Sequence, residues 1–460
     1  MKNWRSISIL KTWRSTPSLW LFGFLLIIQL FQPQEGFGRI FIDINSPSIQ
    51  KINIAIPDFK DYSDSKKNPE LAGAFPKVIS NDLDLSGFFI PMEKSSFLDE
   101  DGPYLTADSI RFRNWSLIGT DLLLKGGYAC IGRSLEAEVR LYDAFRGQQI
   151  LGKKFLGKID DYRVLCHRIG NEIIMAVTGY KGLFLSRFAF VNRLIGDNKI
   201  PSKEIFVCDF DGQNMEQVTF DGGIALLPRW SPKGDSIVYN SIKEGGTILY
   251  SKTLSSGKIR VISGRRGLNM GACWISDGKK LALALSNNDN PDIYVIDLQG
   301  KILKRLTSHW GIDVSPTFSP DETKMAFISD RSGSPQVYVK DLKTGNEERL
   351  TFPDTEYFTF ESKYNSSPDW SARNQIAFSG DSDSGRDIYT VNPDGKSLKR
   401  LTRDTGNNED PCWSPDGRYI VFSSDRDGGF HLYIMNANGQ NQRRISFNKG
   451  EQTAPSWAHF

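Results

Sequence analysis

The heptapeptide Pro411-Cys412-Trp413-Ser414-Pro415-Asp416-Gly417 recurs, with small changes, through the second half of the chain. Pro228-Arg229-Trp230-Ser231-Pro232 and Ala272-Cys273-Trp274-Ile275-Ser276-Asp277-Gly278 precede it. So do Pro316-Thr317-Phe318-Ser319-Pro320-Asp321 and Pro368-Asp369-Trp370-Ser371, and Pro455-Ser456-Trp457 follows at the end. The aromatic stands at 230, 274, 318, 370, 413 and 457, so the steps are 44, 44, 52, 43 and 44 residues. The long step locates an insertion at 352–367, to which the sequence assigns no role. A fixed period of this length marks one supersecondary unit stacked on copies of itself.

Each copy leads into a β-branched or aromatic run, such as Ser236-Ile237-Val238-Tyr239 or Tyr419-Ile420-Val421-Phe422. A turn follows (Ser424-Asp425-Arg426-Asp427-Gly428), then a second run of the type Ile293-Tyr294-Val295. The unit closes on Arg305-Leu306-Thr307, Arg349-Leu350-Thr351, Arg400-Leu401-Thr402 or Arg444-Ile445-Ser446. Apolar runs alternating between Asp-Gly turns are antiparallel hairpins. Four short strands per unit make a propeller blade. The second run starts near 205, 248, 293, 337, 388 and 432, which predicts six blades. The first unit lacks a Trp-bearing strand and the chain ends on an orphan one, so residues 455–460 are expected to complete the first blade. Closure of that kind leaves no free sheet edge. The repeated Asp, Gly, Pro and Trp residues are turn formers and spacers between blades, not catalytic groups. Asp381, Asp383 and Asp387 lack the full twelve-residue ligand pattern of a calcium loop.

Upstream of the repeat, residues 39–180 read as a separate α/β unit. Strands are predicted at 39–44, 52–57, 86–90, 121–128, 135–142 and 149–156. Helical spacing appears in Leu71, Ala74, Phe75, Val78 and Ile79, and again in Leu165, Ile169, Ile173 and Ala176. Gly126-Gly127 lies inside strand material and forms no phosphate loop. The expected architecture is an α+β N-terminal domain (39–180) followed by an all-β six-bladed propeller (184–460). Residues 1–38 carry four cations, then an apolar core from Leu19 to Phe31, then small residues at Gly36 and Gly38. That order reads as a secretory signal peptide, with a single anchor helix as the alternative, for which the apolar run is short.

The formal charge of +3 comes from Lys2, Arg5, Lys11 and Arg14 against Glu35; the rest of the chain has 53 cations and 53 anions. Without a basic excess, nucleic-acid binding is disfavoured. The five cysteines are widely spaced without C-x-x-C, and the four histidines show no zinc spacing, so neither metal nor cofactor is expected. No Gly-x-Ser-x-Gly elbow occurs, which argues against a peptidase. Asp313, Glu409 and Asp410 are acidic enough for a propeller glycosidase but show no matching catalytic spacing. No catalytic residue is therefore expected.

The leader, the α/β domain, the junction Thr178-Gly179-Tyr180-Lys181-Gly182 and the propeller together resemble the TolB family, a component of the Tol-Pal envelope system. The resemblance covers the whole chain. It implies a periplasmic protein-interaction component that serves outer-membrane integrity and constriction at cell division. Its implied partners are the peptidoglycan-associated lipoprotein, at one mouth of the ring, and TolA and other Tol envelope proteins. Neither nucleic acid nor a membrane span is implied, and a monomer is expected. The resemblance also makes Arg39-Ile40-Phe41-Ile42-Asp43-Ile44 a partner-switching strand, although an acidic first residue is missing. From alternation alone, an ordinary first strand fits that segment equally well. A glycan-binding or glycan-processing propeller of the same compartment is the alternative function.

In a blade the Trp-bearing strand is innermost, so the loop leading into it rims the channel. These loops vary, whereas the opposite Ser-Pro-Asp-Gly turns hardly change. Variable loops on a rigid ring are where recognition is grafted. Asn269, His309, Asp313, Asn365, Asn408, Glu409, Asp410 and Gln452 are accordingly expected as partner contacts.

Overall fold

A computed structural model describes residues 50–64, 66–98, 105–195, 201–243, 246–275, 278–286, 290–352, 364–382 and 384–458. The expected leader and the segment 39–44 lie outside the described residues, as do 353–363 of the insertion.

The N-terminal sheet runs in the order Phe89–Pro91, Ile52–Ala55, Leu122–Ile131, Ser134–Asp143, Gln149–Lys158. The first three strands are mutually parallel and the last three form an antiparallel meander. Helices Leu71–Leu85 and Tyr162–Thr178 bury the apolar positions read from their spacing, including Phe75, Ile79, Leu165, Ile169 and Ile173. The second helix stops at Gly179, whose φ of 76° is the left-handed conformation glycine favours at a helix end. Gly126 and Gly127 sit mid-strand because rings cover them: a Cβ would stand 2.3 Å from the Phe59 ring and 2.2 Å from that of Tyr62. The short helix Phe112–Leu117 is not anticipated by the sequence, since six residues are too few for a helical period to register. Its Trp115 is buried against the other side of the sheet with Leu123 and Tyr142. Among the described residues no helix is long and apolar enough to cross a membrane.

From Arg187 onward the described elements are all β-strands, in a propeller arrangement. Four separate four-stranded antiparallel sheets start at Asn269, Asp313, Asn365 and Asn408. A further eight-stranded sheet holds two four-stranded groups joined by one parallel pairing, Ile224 with Lys203. In it the terminal strand Glu451–Trp457 pairs antiparallel with Arg187–Ile195, setting Trp457 opposite Phe188. The orphan strand thus goes where the repeat arithmetic places it, though it begins at 451 rather than 455. Trp457 is buried, 4.7 Å from the Phe188 ring, and its Nε1 donates to Ser186 Oγ at 2.7 Å.

Every Trp-bearing strand is bulged three residues before its aromatic. Leu227, Gly271, Ser315, Ser367, Asp410 and Ala454 have φ of 50, 67, 54, 52, 53 and 50°, and the pairing register shifts at each. Five of these six residues are not glycine, so neighbouring groups must hold the backbone there.

Antiparallel strands sort the connections to two ends of the ring. The Ser-Pro-Asp-Gly turns share an end with the last turn of each unit, and the lead-in loops lie at the other. The N-terminal domain packs against the first end. Tyr419 Oη donates to Ser86 O at 3.0 Å, Arg418 to Lys181 O at 2.6 Å, and Arg443 pairs with Asp84. One apolar core runs through this junction, from Leu83 and Ile173 through Phe184 and Phe210 to Tyr419 and Trp457.

Candidate functional site

The lead-in loops place the eight expected contacts near one end, but five of them do not face solvent. Asn269, Asp313, Asn365, Asn408 and Gln452 are each 0% exposed. All five stand at or next to the first residue of a Trp-bearing strand, and their side chains tie that strand to its neighbours. Asp313 accepts two bonds from Arg331, at 2.8 and 2.9 Å. Asn365 donates to Gln336 Oε1 at 2.9 Å and Thr351 Oγ1 at 3.1 Å. Asn408 donates to Asp387 at 3.1 Å and accepts from Arg426 at 2.7 Å. Gln452 meets His431 at 2.7 Å and donates to Asn192 at 3.0 Å, while Asn269 accepts from Ser263 Oγ at 2.6 Å. The structure therefore turns these five side chains into the blade rather than presenting them at the mouth. A buried amide or carboxylate is held by partners, and here the partners are the blade itself.

Sequence reasoning missed those partners. The Thr or Ser of each closing Arg-Leu-Thr phrase receives the backbone N–H of the strand before it: Ile293 to Thr307 at 2.9 Å, Val337 to Thr351 at 3.0 Å, Ile388 to Thr402 at 3.0 Å, Leu432 to Ser446 at 2.8 Å. In three units the closing phrase and the polar start of the next strand are joined: Thr351 with Asn365, Thr402 with Asn408 through Asp387, and Ser446 with Gln452. The signal for these links was the shared period.

Three residues remain accessible. Glu409 lies 3.7 Å from Arg386, and burial raises its carboxyl pKa above the usual range against the opposing pull of that guanidinium. Asp410 sits on a left-handed bulge and spans two neighbouring bulges, accepting from Ser367 Oγ at 2.7 Å and Ala454 N at 3.1 Å. Half-buried His309 accepts from Gly311 N at 3.0 Å, with its ring 5.1 Å from that of Trp310, which is 69% exposed. Glu409 and Asp410 line a cavity of about 640 Å³ with Arg193, Lys203, Leu227 and Met270. Opposite charges over apolar floor are the mixed chemistry of a protein contact. Arg193 pairs there with Glu451 at 2.8 Å.

Further down the channel, Trp274, Phe318, Trp370 and Trp413 surround Asp369 in a cavity of about 420 Å³. Asp369 accepts from Trp413 N at 2.7 Å, and burial pushes its carboxyl up to about 6. Of the acidic trio Asp313, Glu409 and Asp410, Asp313 is enclosed and paired with Arg331 at 2.8 Å.

A third polar cluster lies in the domain junction, where Asp82, His167 and Asp211 approach closely enough to enclose a cation. Its donor set does not fit one. Asp211 Oδ2 is taken by Arg163 and Oδ1 by Gln213 N, leaving two free donors beside a fixed guanidinium.

Comparisons with known proteins agree with this architecture. The family described as TolB beta propeller domain matches residues 174–372 and 359–459, and that described as TolB amino-terminal domain matches 40–150. A Tol-Pal system protein TolB from Desulfosudis oleivorans is 37% identical over 62% of this chain and 65% of its own length. One from Syntrophus aciditrophicus is 34% identical over 51% of this chain and 52% of its own length. The alignments thus span just under two thirds and about half of those relatives. The crystal structure of TolB from Acinetobacter baumannii superposes with a TM-score of 0.76 at 26% identity, over 92% of this chain and all of that one. The propeller family alone matches well over half of the residues, and the chain belongs to the TolB family.

Proposed function

We propose that this chain is a periplasmic, non-enzymatic Tol-Pal component whose propeller binds the peptidoglycan-associated lipoprotein at the lead-in-loop mouth. In this reading the eight-stranded sheet counts as two blades, giving six. The chain divides into a leader (1–38), an N-terminal domain (39–180) and a propeller (184–460), and the segment 39–44 engages TolA. The complex would serve outer-membrane integrity and constriction during division. One observation carries the choice of mouth. The N-terminal domain occupies the Ser-Pro-Asp-Gly end, while the opposite end keeps Glu409, Arg193 and Lys203 around an open apolar floor. Of the eight residues expected as contacts, Glu409, His309 and Asp410 remain proposed contacts. The buried five act by holding the loops that carry them.

An affinity capture with the mature chain from detergent-solubilised envelope tests the reading. The expected prey is an outer-membrane lipoprotein that itself binds peptidoglycan. Recovery of glycan strands without such a protein would replace this function with a sugar-binding one.

A further inference from the structure

We propose that the buried Asp82–His167 pair, set behind the Arg163–Asp211 ion pair, is a proton-dependent latch between the N-terminal domain and the propeller. Asp82 lies on helix Leu71–Leu85, His167 and Arg163 lie on helix Tyr162–Thr178, and Asp211 lies on the turn after strand Pro201–Asp209 of the propeller. His167 Nδ1 and Asp82 Oδ2 are 2.7 Å apart, with side-chain exposures of 3% and 0%. Arg163 bonds Asp211, whose side chain is 3% exposed, across the junction. The remaining donor and acceptor of the pair, His167 Nε2 and Asp82 Oδ1, meet no partner among the described residues. Among the described residues, then, no further charged group bonds the pair.

Charge counting gives the direction. The groups facing the pair are Arg163 and Cys166 on the helix of His167 and Asp211 from the propeller turn. The Cys166 thiol is held neutral by burial. With one proton on the pair, two carboxylates and two cations balance, or their neutral equivalent does. Without it, Asp82 and Asp211 share only Arg163, and an uncompensated negative charge is buried, which is strongly unfavourable. Burial pushes the Asp82 carboxyl up to about 6, and Asp82 in turn holds the His167 imidazole above its usual range despite burial. Both shifts favour the proton-bound state of the folded junction. Stability supplied by His167 is therefore complete below the unfolded imidazole value, near 6.5, and is lost as pH rises through the raised folded value.

The test is amide hydrogen exchange on the full mature chain, as protection factors corrected for intrinsic rate, followed over the last helix and the 209–213 turn. Protection there is expected to fall at least tenfold between pH 6.5 and pH 9, while sheets remote from the junction change little. The His167→Gln variant should show no such step. Should that variant not fold, Asp82→Asn carries the same test, because it also removes the shared proton. Arg163→Gln should lower protection at every pH yet keep the step. A pH-independent wild type, or an unchanged step in both pair variants, would overturn the latch.

Discussion

Asn408 illustrates how a single side chain changes meaning between sequence and structure. As an amide in a variable loop it reads as a surface contact; in the fold it is enclosed by Asp387, Arg386 O, Gly406 O and Arg426. Removing it strands several buried groups at once. Asn408→Ala is expected to cost about 1–3 kcal/mol in urea unfolding, the range for orphaned buried partners. Asp369 supplies a second prediction at this scale. Its carboxyl rises from 3.8 to about 6 on folding, so the folded chain holds the extra proton between those values and wild-type stability falls as pH rises across them. The penalty above that window is at most about 3 kcal/mol, and less where channel water reaches the carboxylate. Asp369→Asn should flatten this part of the stability–pH curve while keeping an acceptor for Trp413 N. A variant curve with the wild-type slope would show that the burial cost lies elsewhere.

Among the elements, the bulged inner strand recurs most faithfully. Its left-handed residue is glycine only at Gly271, where an added Cβ would meet Ser315 backbone at an ordinary 3.7 Å. Space is therefore available, and Gly271→Ala should lose only the left-handed penalty, about 1 kcal/mol in thermal or denaturant unfolding. A far larger loss would mean that backbone freedom at this bulge matters beyond its φ. The terminal strand makes a stronger case. Deleting 451–460 uncovers Phe188, removes Trp457 from the shared core and reopens the edge of Arg187–Ile195. The truncated chain should lose cooperative unfolding and self-associate in sedimentation velocity.

The strands were legible because aromatic residues and Asp-Gly turns recur in register, and the ring closure followed from counting Trp457. The bulges were not, since Leu227, Ser315, Ser367, Asp410 and Ala454 share no residue type that marks a positive φ. The candidate surface was half legible. Its end of the ring follows from topology, but polar residues at strand starts look alike whether they meet solvent or a buried threonine. Only the packing of partners such as Thr351, Asp387, Arg331 and Ser446 separates the two cases.

At the scale of the whole molecule, the N-terminal domain is welded to the seam where the ring closes, through Asp84–Arg443, Ser86–Tyr419 and the common core. Among the described residues the N-terminal domain leaves the lead-in-loop mouth uncovered, and the proposed lipoprotein contact rests on it. Calorimetric titration of the mature chain with the soluble domain of the peptidoglycan-associated lipoprotein tests this directly. It compares wild type with a Glu409→Lys, Glu451→Lys double variant, both sites lying at the mouth and partly exposed. The expected result is affinity at least tenfold weaker, about 1.4 kcal/mol, with an unchanged unfolding midpoint. Unaltered affinity in that folded variant, together with loss of binding on reversing Asp321 at the opposite end, would contradict the account.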